Sequence, residues 1–496
     1  MIVHFLLAFL AQTTPLPTPS ETPSPSPTPI YEGNPAAQMR LEQRPLAVDP
    51  DGNARWLVIV RFLDANGKPT RIMKNSDLDY KQSRGQLQWQ TRMRYGSPAV
   101  IVKTPQEGPL AITVRANVPS LPAATAQTDT RRWFGPRVIA RALGPSMVQI
   151  GWFPREEKST VRIFRIDANG SQRSIAVMPA PSSAFRDTSV LPNRNYRYIV
   201  KRGTSITAVP AVRTFSGLPA TSVAAASGKA MWLFFSTNPY DDNYYAKIDP
   251  QRIVAQAVKA GLHYVELRTA YGEYWQITPE ARPTIDAIID GLAIHHIGVI
   301  GWTVPRQATY ADLLMSVKTA YYRTSRGTRF TALALDLERG EEFMHDCPEG
   351  CIAIADYSRR LREALGNRYT IVATIEDPYL EHLDESKYPY RAIARYSDVL
   401  QPMSYWRMLA KKSTSVDQMK ALLRGSVQKV RALSKRTLPI SIGGQTSKEG
   451  PRGFPPADEV FGSLEITRRL GAIGECFFDW DGTQPYQWDA ISRYRW

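Results

Sequence analysis

Thr331-Ala332-Leu333-Ala334-Leu335-Asp336-Leu337-Glu338 is a strand-length run that stays apolar until its last three positions. Continuous apolarity over so few residues marks a strand buried on both faces, as in a parallel sheet covered by helices. Seven similar runs share the C-terminal half: Ala230–Ser236, His263–Arg268, Ile297–Val304, Tyr369–Glu376, Asp398–Trp406, Leu438–Gly443 and Glu475–Trp480. Helix-length amphipathic segments lie between them, among them Gln251–Ala260, Ala311–Tyr322, Ile352–Ala364 and Val416–Leu433. Parallel strands need crossover connections, so this alternation predicts a (β/α)8 TIM barrel over residues 228–496. A doubly wound open sheet is the competing arrangement. It would ordinarily carry a Gly-rich turn after its first strand, and Phe235-Ser236-Thr237-Asn238-Pro239-Tyr240 contains none.

Barrel active sites form at the C-terminal ends of the strands. Residues two apart on a strand share a face, so Asp336 and Glu338 are expected to point together toward the mouth, with Leu335 and Leu337 against the helices. Carboxylates in an apolar strand are costly unless satisfied. Two on one face raise each other's pKa, which lets one stay protonated as a general acid, the requirement for cleaving a glycosidic bond. The structural alternative is that both acids pair with arginines such as Arg268 and Arg339 and merely close the mouth.

These residues carry a resemblance. The D-x-E of the fourth strand resembles the acidic motif of barrel glycoside hydrolases in the family 18 chitinase and family 25 lysozyme group. Gln401-Pro402-Met403-Ser404-Tyr405-Trp406 resembles the sixth-strand M-x-Y motif of family 18, and Gly474-Glu475-Cys476-Phe477-Phe478-Asp479-Trp480 its tryptophan-ended eighth strand. The resemblance implies Glu338 as proton donor, Asp336 as its supporting carboxylate, and Tyr405 and Trp480 as sugar contacts. Ala334 and Thr331 stand where the family's D-x-x-D-x-D-x-E has its two earlier acids.

Other groups could complete the site. Glu376 and Asp377 close the fifth strand, and Asp479 and Asp481 flank Trp480, whereas the seventh strand, Ser441-Ile442-Gly443-Gly444-Gln445, ends without an acid. That departs from retaining barrel glycosidases with a strand-seven nucleophile, and both retaining and inverting courses stay open. Trp302, Tyr271 and Trp406 join Tyr405 and Trp480 as candidate sugar-stacking rings, along with Tyr240, Tyr244, Tyr274 and Trp275. The plainer alternative is that such rings fill the layer between barrel and helices.

The front half reads differently. Residues 1–12, MIVHFLLAFLAQ, resemble a secretory signal or N-terminal anchor, and residues 13–30 are a Pro/Ser/Thr-rich linker that favours extended conformations. Residues 31–122 are expected to form a β-sandwich. There Trp56-Leu57-Val58-Ile59-Val60-Arg61-Phe62 leads into the turn Asp64-Ala65-Asn66-Gly67, and the stretch resembles the immunoglobulin-like repeats of bacterial adhesins. Residues 136–216, with Trp152 and Tyr196 at core positions and Arg162 and Arg197 facing solvent, resemble a fibronectin type III domain.

The net charge of +16 is concentrated here: 28 Lys+Arg against 14 Asp+Glu up to Ser227, then 34 against 32. This excess suits an anionic cell-wall polymer, or simply a solvated surface. Nucleic acid is not expected, since no recognition motif is present. The 43% hydrophobic content excludes a mainly disordered, collagenous or coiled-coil chain, and no 18-residue apolar stretch occurs that could span a membrane. Of the three cysteines, Cys347 and Cys351 are expected to form a small disulfide loop, with Cys476 buried. His345-x-Cys347-x3-Cys351 offers only three local ligands, so no metal or cofactor is expected. The combined expectation is an extracellular or cell-surface glycoside hydrolase acting on a polysaccharide, with an amino-sugar polymer of cell wall or chitin as the candidate. The competing reading is a non-catalytic surface protein that binds glycan or mediates adhesion.

Overall fold

The computed structural model describes residues 36–70, 78–89, 97–117, 121–167, 170–237, 241–340, 343–344, 346–409, 415–448 and 453–496. The expected leader (1–12) and linker (13–30) lie outside the described residues, as do Tyr240 and His345. The chain divides between Ser216 and Gly217 into two compact units.

The front unit is built of antiparallel sheets. Strands Gln38–Val48, Ala54–Leu63, Ala99–Thr104 and Gln86–Trp89 form one sheet, and Leu78–Gln82, Pro109–Ala116 and Ala124–Asp129 another. Alternate residues of both sheets enter one buried cluster around Trp56, Val58, Val100 and Ile112. A second pair of sheets follows, Ser182–Asp187, Val148–Glu156 and Arg137–Ala142 beside Gln172–Met178, Val161–Ile166, Asn195–Arg202 and Ser205–Arg213, around Trp152, Ile163 and Tyr198. Trp152 is fully buried and its indole donates to the Ser182 carbonyl at 2.8 Å, while Arg162 and Arg197 face solvent. The two halves meet where the turn Asp49–Gly52 lies on Gly151, at which a Cβ would stand 2.3 Å from the Pro50 carbonyl oxygen. Only glycine permits that approach.

In the second unit eight parallel strands, numbered here within the barrel, alternate with eight longer helices. They are β1 (Gly228–Leu233), β2 (Tyr264–Tyr271), β3 (Gly298–Val304), β4 (Ala332–Leu337), β5 (Ile371–Ile375), β6 (Val399–Pro402), β7 (Ser441–Gln445) and β8 (Gly474–Phe478). The longer helices are α1 (Pro250–Ala260), α2 (Arg282–Ile294), α3 (Tyr310–Ala320), α4 (Glu349–Leu365), α5 (Tyr390–Tyr396), α6 (Val416–Ser434), α7 (Ala457–Arg469) and α8 (Pro485–Arg493), and a one-turn helix, Trp406–Leu409, follows β6. Each strand falls on one of the eight apolar runs. The paired order runs β6-β5-β4-β3-β2-β1-β8-β7. Parallel bridges Leu400–Ile440 and Met403–Gly443 join the two ends, with Ser404 N–H donating to the Gly443 carbonyl at 2.9 Å. The sheet therefore closes as a barrel, and the open-sheet alternative falls away.

Local chemistry sets the helix limits. The Asp249 side chain caps α1, Pro250 opens it, and Gly261 at φ 61° ends it. Thr309 with Asp312, and Ser415 with Gln418, form capping boxes at the starts of α3 and α6. Gly443 does different work on β7: a Cβ there would stand 2.9 Å from the Trp232 ring, so its absence lets the indole fill the barrel interior.

Candidate active site

The alternation of β4 decides which side chains reach the interior. Ala332 and Ala334 pack in the cluster inside the barrel with Ile300, Trp302, Val372 and Cys476. Asp336 therefore faces inward at the C-terminal end of β4, and Glu338, just past it, continues the same face. Both carboxyls are buried, at 6% and 3% exposure. Burial, then the charge of Glu376, pushes Asp336 up to about 8. Burial followed by the charges of Asp336 and Glu376 holds Glu338 well above the usual carboxylate range. Sequence reasoning anticipated the direction but named the lesser cause: desolvation, rather than mutual repulsion, is the larger effect.

The two acids are not locked in ion pairs. Asp336 Oδ1 and Glu338 Oε2 have no hydrogen-bond partner, and among the described residues neither carboxyl meets a cation within salt-bridge distance. Arg339 is engaged elsewhere, 3.2 Å from Glu381, 3.5 Å from Asp346 and 3.9 Å from Glu376. Arg268, on β2, donates its Nε–H to Gln276 Oε1 at 2.9 Å. The indole N–H of Trp302 is close enough to favour the charged form of Asp336, yet makes no hydrogen bond of normal geometry.

Glu376, one residue past β5, lies beside this pair, and its Oε1 accepts from the Arg339 backbone N–H at 3.3 Å. Glu381 accepts from Arg339 at 3.2 Å and from the Asp377 N–H at 3.1 Å, and burial followed by the charge of nearby Glu376 pushes it up to about 10. Asp377 plays no comparable part: it accepts from the N–H groups of Tyr379 and Leu380 and from the Ser404 hydroxyl, anchoring the turn after β5.

Rings form the walls. Trp302 lies 6.2 Å from Trp232 and 6.3 Å from Phe234, and Phe478 lies 6.2 Å from Phe234 and 5.8 Å from Tyr405. Tyr271 is flanked by the guanidinium groups of Arg268 at 5.5 Å and Arg306 at 5.1 Å. Trp480, partly exposed, sits against Trp488 at 4.9 Å. Of the proposed sugar contacts, Trp406 is misplaced. It is fully buried and donates its indole N–H at 2.8 Å to Glu459 on α7, because it follows the inward-facing Tyr405 and must take the opposite face. Trp275 likewise packs outward, against Tyr322 and under Lys318.

Sequence reasoning missed Glu381, Arg306, Trp232, Phe234 and Phe478. Trp232 near the end of β1 and Phe234 just past it did carry a signal, two aromatics two positions apart. Cys347 and Cys351 form a disulfide, so they offer no thiolates to a metal. Among the described residues no group of three or more His, Cys, Asp or Glu side chains is placed to hold a metal ion.

No protein-family model matches the sequence, and no curated protein does. Solved structures with a similar fold include the spore cortex-lytic enzyme SleL of Bacillus cereus (11% identity, 60% of this chain and 79% of that one, TM-score 0.39). A chitinase from Chromobacterium violaceum shows 12% identity over 54% of this chain and all of its own (100%), at a TM-score of 0.39. The PgaB (BpsB) glycoside hydrolase domain of Bordetella bronchiseptica shows 9% identity over 54% and 100%, at 0.38. At these values the likenesses carry no argument about activity, and the reading below rests on the side chains.

Proposed function

We propose that the chain is a glycoside hydrolase that cleaves a polysaccharide, with Glu338 as the proton donor and Asp336 as its supporting carboxylate. One observation carries the reading: two buried acids adjoin at the C-terminal end of β4, burial raises both above the usual carboxylate range, and among the described residues neither meets a cation within salt-bridge distance. A protonated carboxyl in that position can give its proton to a glycosidic oxygen as the bond to carbon breaks. Glu376 is the further carboxylate the site offers for activating water. Tyr405, Trp480, Trp302 and Tyr271 supply flat apolar surface for sugar rings.

The front unit supports attachment to the target. We infer that its two halves are immunoglobulin-like and fibronectin type III-like β-sandwiches that bind an anionic wall polymer. Arg162 and Lys201 stand directly opposite one another on neighbouring strands, a like-charge pair that an anionic ligand would relieve. The apolar residues 1–12 and the linker support export to the cell exterior. Among the described residues no helix is long and apolar enough to cross a membrane.

The test is release of reducing ends from peptidoglycan, chitin oligomers and a polysaccharide panel by the wild-type chain and by Glu338→Gln. Loss of release in the variant, with binding retained, supports the reading. Binding without release by either protein would replace it with the non-catalytic glycan-binding reading.

A further inference from the structure

Arg268 projects from β2 on the face shared by Tyr264 and Glu266, and it keeps part of its surface exposed. Its guanidinium lies 4.4 Å from the Phe234 ring and 5.5 Å from those of Tyr271 and Trp302. These are rings of the site wall. The single hydrogen bond it makes among the described residues is the one to Gln276, which is fixed in turn by donating to the Phe235 carbonyl at 3.2 Å. A guanidinium has five donors, so the fork facing the site remains largely unused. Aromatic faces hold a cation in place but do not neutralise it.

Asp336 and Asp479 lie near enough to favour its charged form, but among the described residues neither forms a salt bridge with it. Burial lowers Arg268 to about 10, which leaves it charged at neutral pH. Burial raises both Asp336, to about 8, and Glu338 above the usual carboxylate range. The site thus presents a cation held by Gln276 and a wall of rings, with most of its donors unused.

We propose that the sugar bound at this site carries a carboxylate, which Arg268 engages through its free fork while the sugar face rests on the neighbouring rings. The inference rests on the glycan-cleaving reading and deepens it, naming an acidic polysaccharide as the substrate class. A carboxylate suits the fork because two parallel N–H···O bonds can form. The group can come from a uronic acid or from a lactyl ether on an amino sugar.

The experiment follows tryptophan fluorescence of the full chain during titration with two matched pairs, glucuronate against glucose and N-acetylmuramate against N-acetylglucosamine. At least one acidic sugar is expected to bind about tenfold or more tighter than its neutral partner, and the pair that discriminates identifies the source of the carboxylate. The preference should vanish in Arg268→Gln, persist in part in Arg268→Lys, and weaken as salt rises. Neutral-sugar binding reports whether the variants remain folded. Equal binding within each pair, no binding of either acidic sugar, or equal loss for acidic and neutral sugars in Arg268→Gln would overturn the inference. Hydrolysis that depends on Glu338 without such a preference leaves the enzymatic reading standing. A preference without hydrolysis of any polymer removes the enzymatic reading and leaves the acidic-sugar site.

Discussion

Glu266 and Gln401 bond across the barrel axis, Gln401 Nε2 donating to Glu266 Oε1 at 2.8 Å, although their strands β2 and β6 stand four apart in an eight-strand ring. Thr374 on β5 donates to the same Gln401, at Oε1, at 2.7 Å. The interior beneath the candidate site is thus a polar layer threaded through an apolar one.

Burial pushes Glu266 up to about 7, against the lowering effect of the Gln401 hydrogen bond. The folded state then holds a proton that the unfolded chain releases near pH 4.5. Unfolding free energy is therefore fully favoured by this group below that pH and declines as pH rises through about 7. Glu266→Gln is expected to flatten the decline by up to one proton. Urea midpoints at intervals from pH 4 to 8 check this, and an unchanged slope would mean that Glu266 is ionised in the folded chain.

Glu338→Gln should lower kcat by roughly 100- to 10,000-fold with little change in KM, the scale on which general acids contribute. Asp336→Asn should retain more activity and move the alkaline limb of kcat/KM to lower pH. The reason is that the charge Asp336 acquires near pH 8 helps Glu338 keep its proton. A limb that stays put in Asp336→Asn would uncouple the two residues.

Trp406→Phe removes the bond to Glu459 and buried ring area, so about 1–3 kcal/mol of stability should be lost. KM for polysaccharide should not change. Trp480→Ala, at the partly exposed ring, should raise KM with stability nearly intact. A KM effect in Trp406→Phe would return that residue to the site.

Cysteine chemistry offers a plain check. Native chain treated with iodoacetamide should take up no label, because Cys476 is buried and Cys347 is bonded to Cys351. Denaturant should expose one thiol and denaturant with reductant three, counted by mass.

In the front unit Arg165 and Asp187 form an ion pair at 2.9 Å with both side chains at most 4% exposed, and Tyr198 donates to the same carboxylate at 3.0 Å. Asp187→Ala leaves Arg165 with Asp167 at 3.1 Å and Ser189 at 3.0 Å, and should cost about 1.5–3 kcal/mol, measured as a lowered urea midpoint for that unit. A loss below about 1 kcal/mol would show that Arg165 finds solvent.

The barrel was legible because its evidence is local. Apolar runs of strand length, helices of period 3.6 and capping residues such as Thr309 and Ser415 each act within a few positions. The pairing of Asp336 with Glu338 was legible for the same reason, and so in principle was the outward turn of Trp406, one residue from Tyr405. The dominance of burial over repulsion in raising Asp336 was not, since it depends on everything packed around the strand.

The sequence by itself determined eight strand–helix units and which face of each strand is apolar, because side-chain alternation is a property of the chain alone. Only the closed ring decided that Arg268 lies beside Phe234 and Trp302, and that Gln401 reaches Glu266. Those relationships join residues far apart in the chain, and they exist only once closure sets which strands face each other.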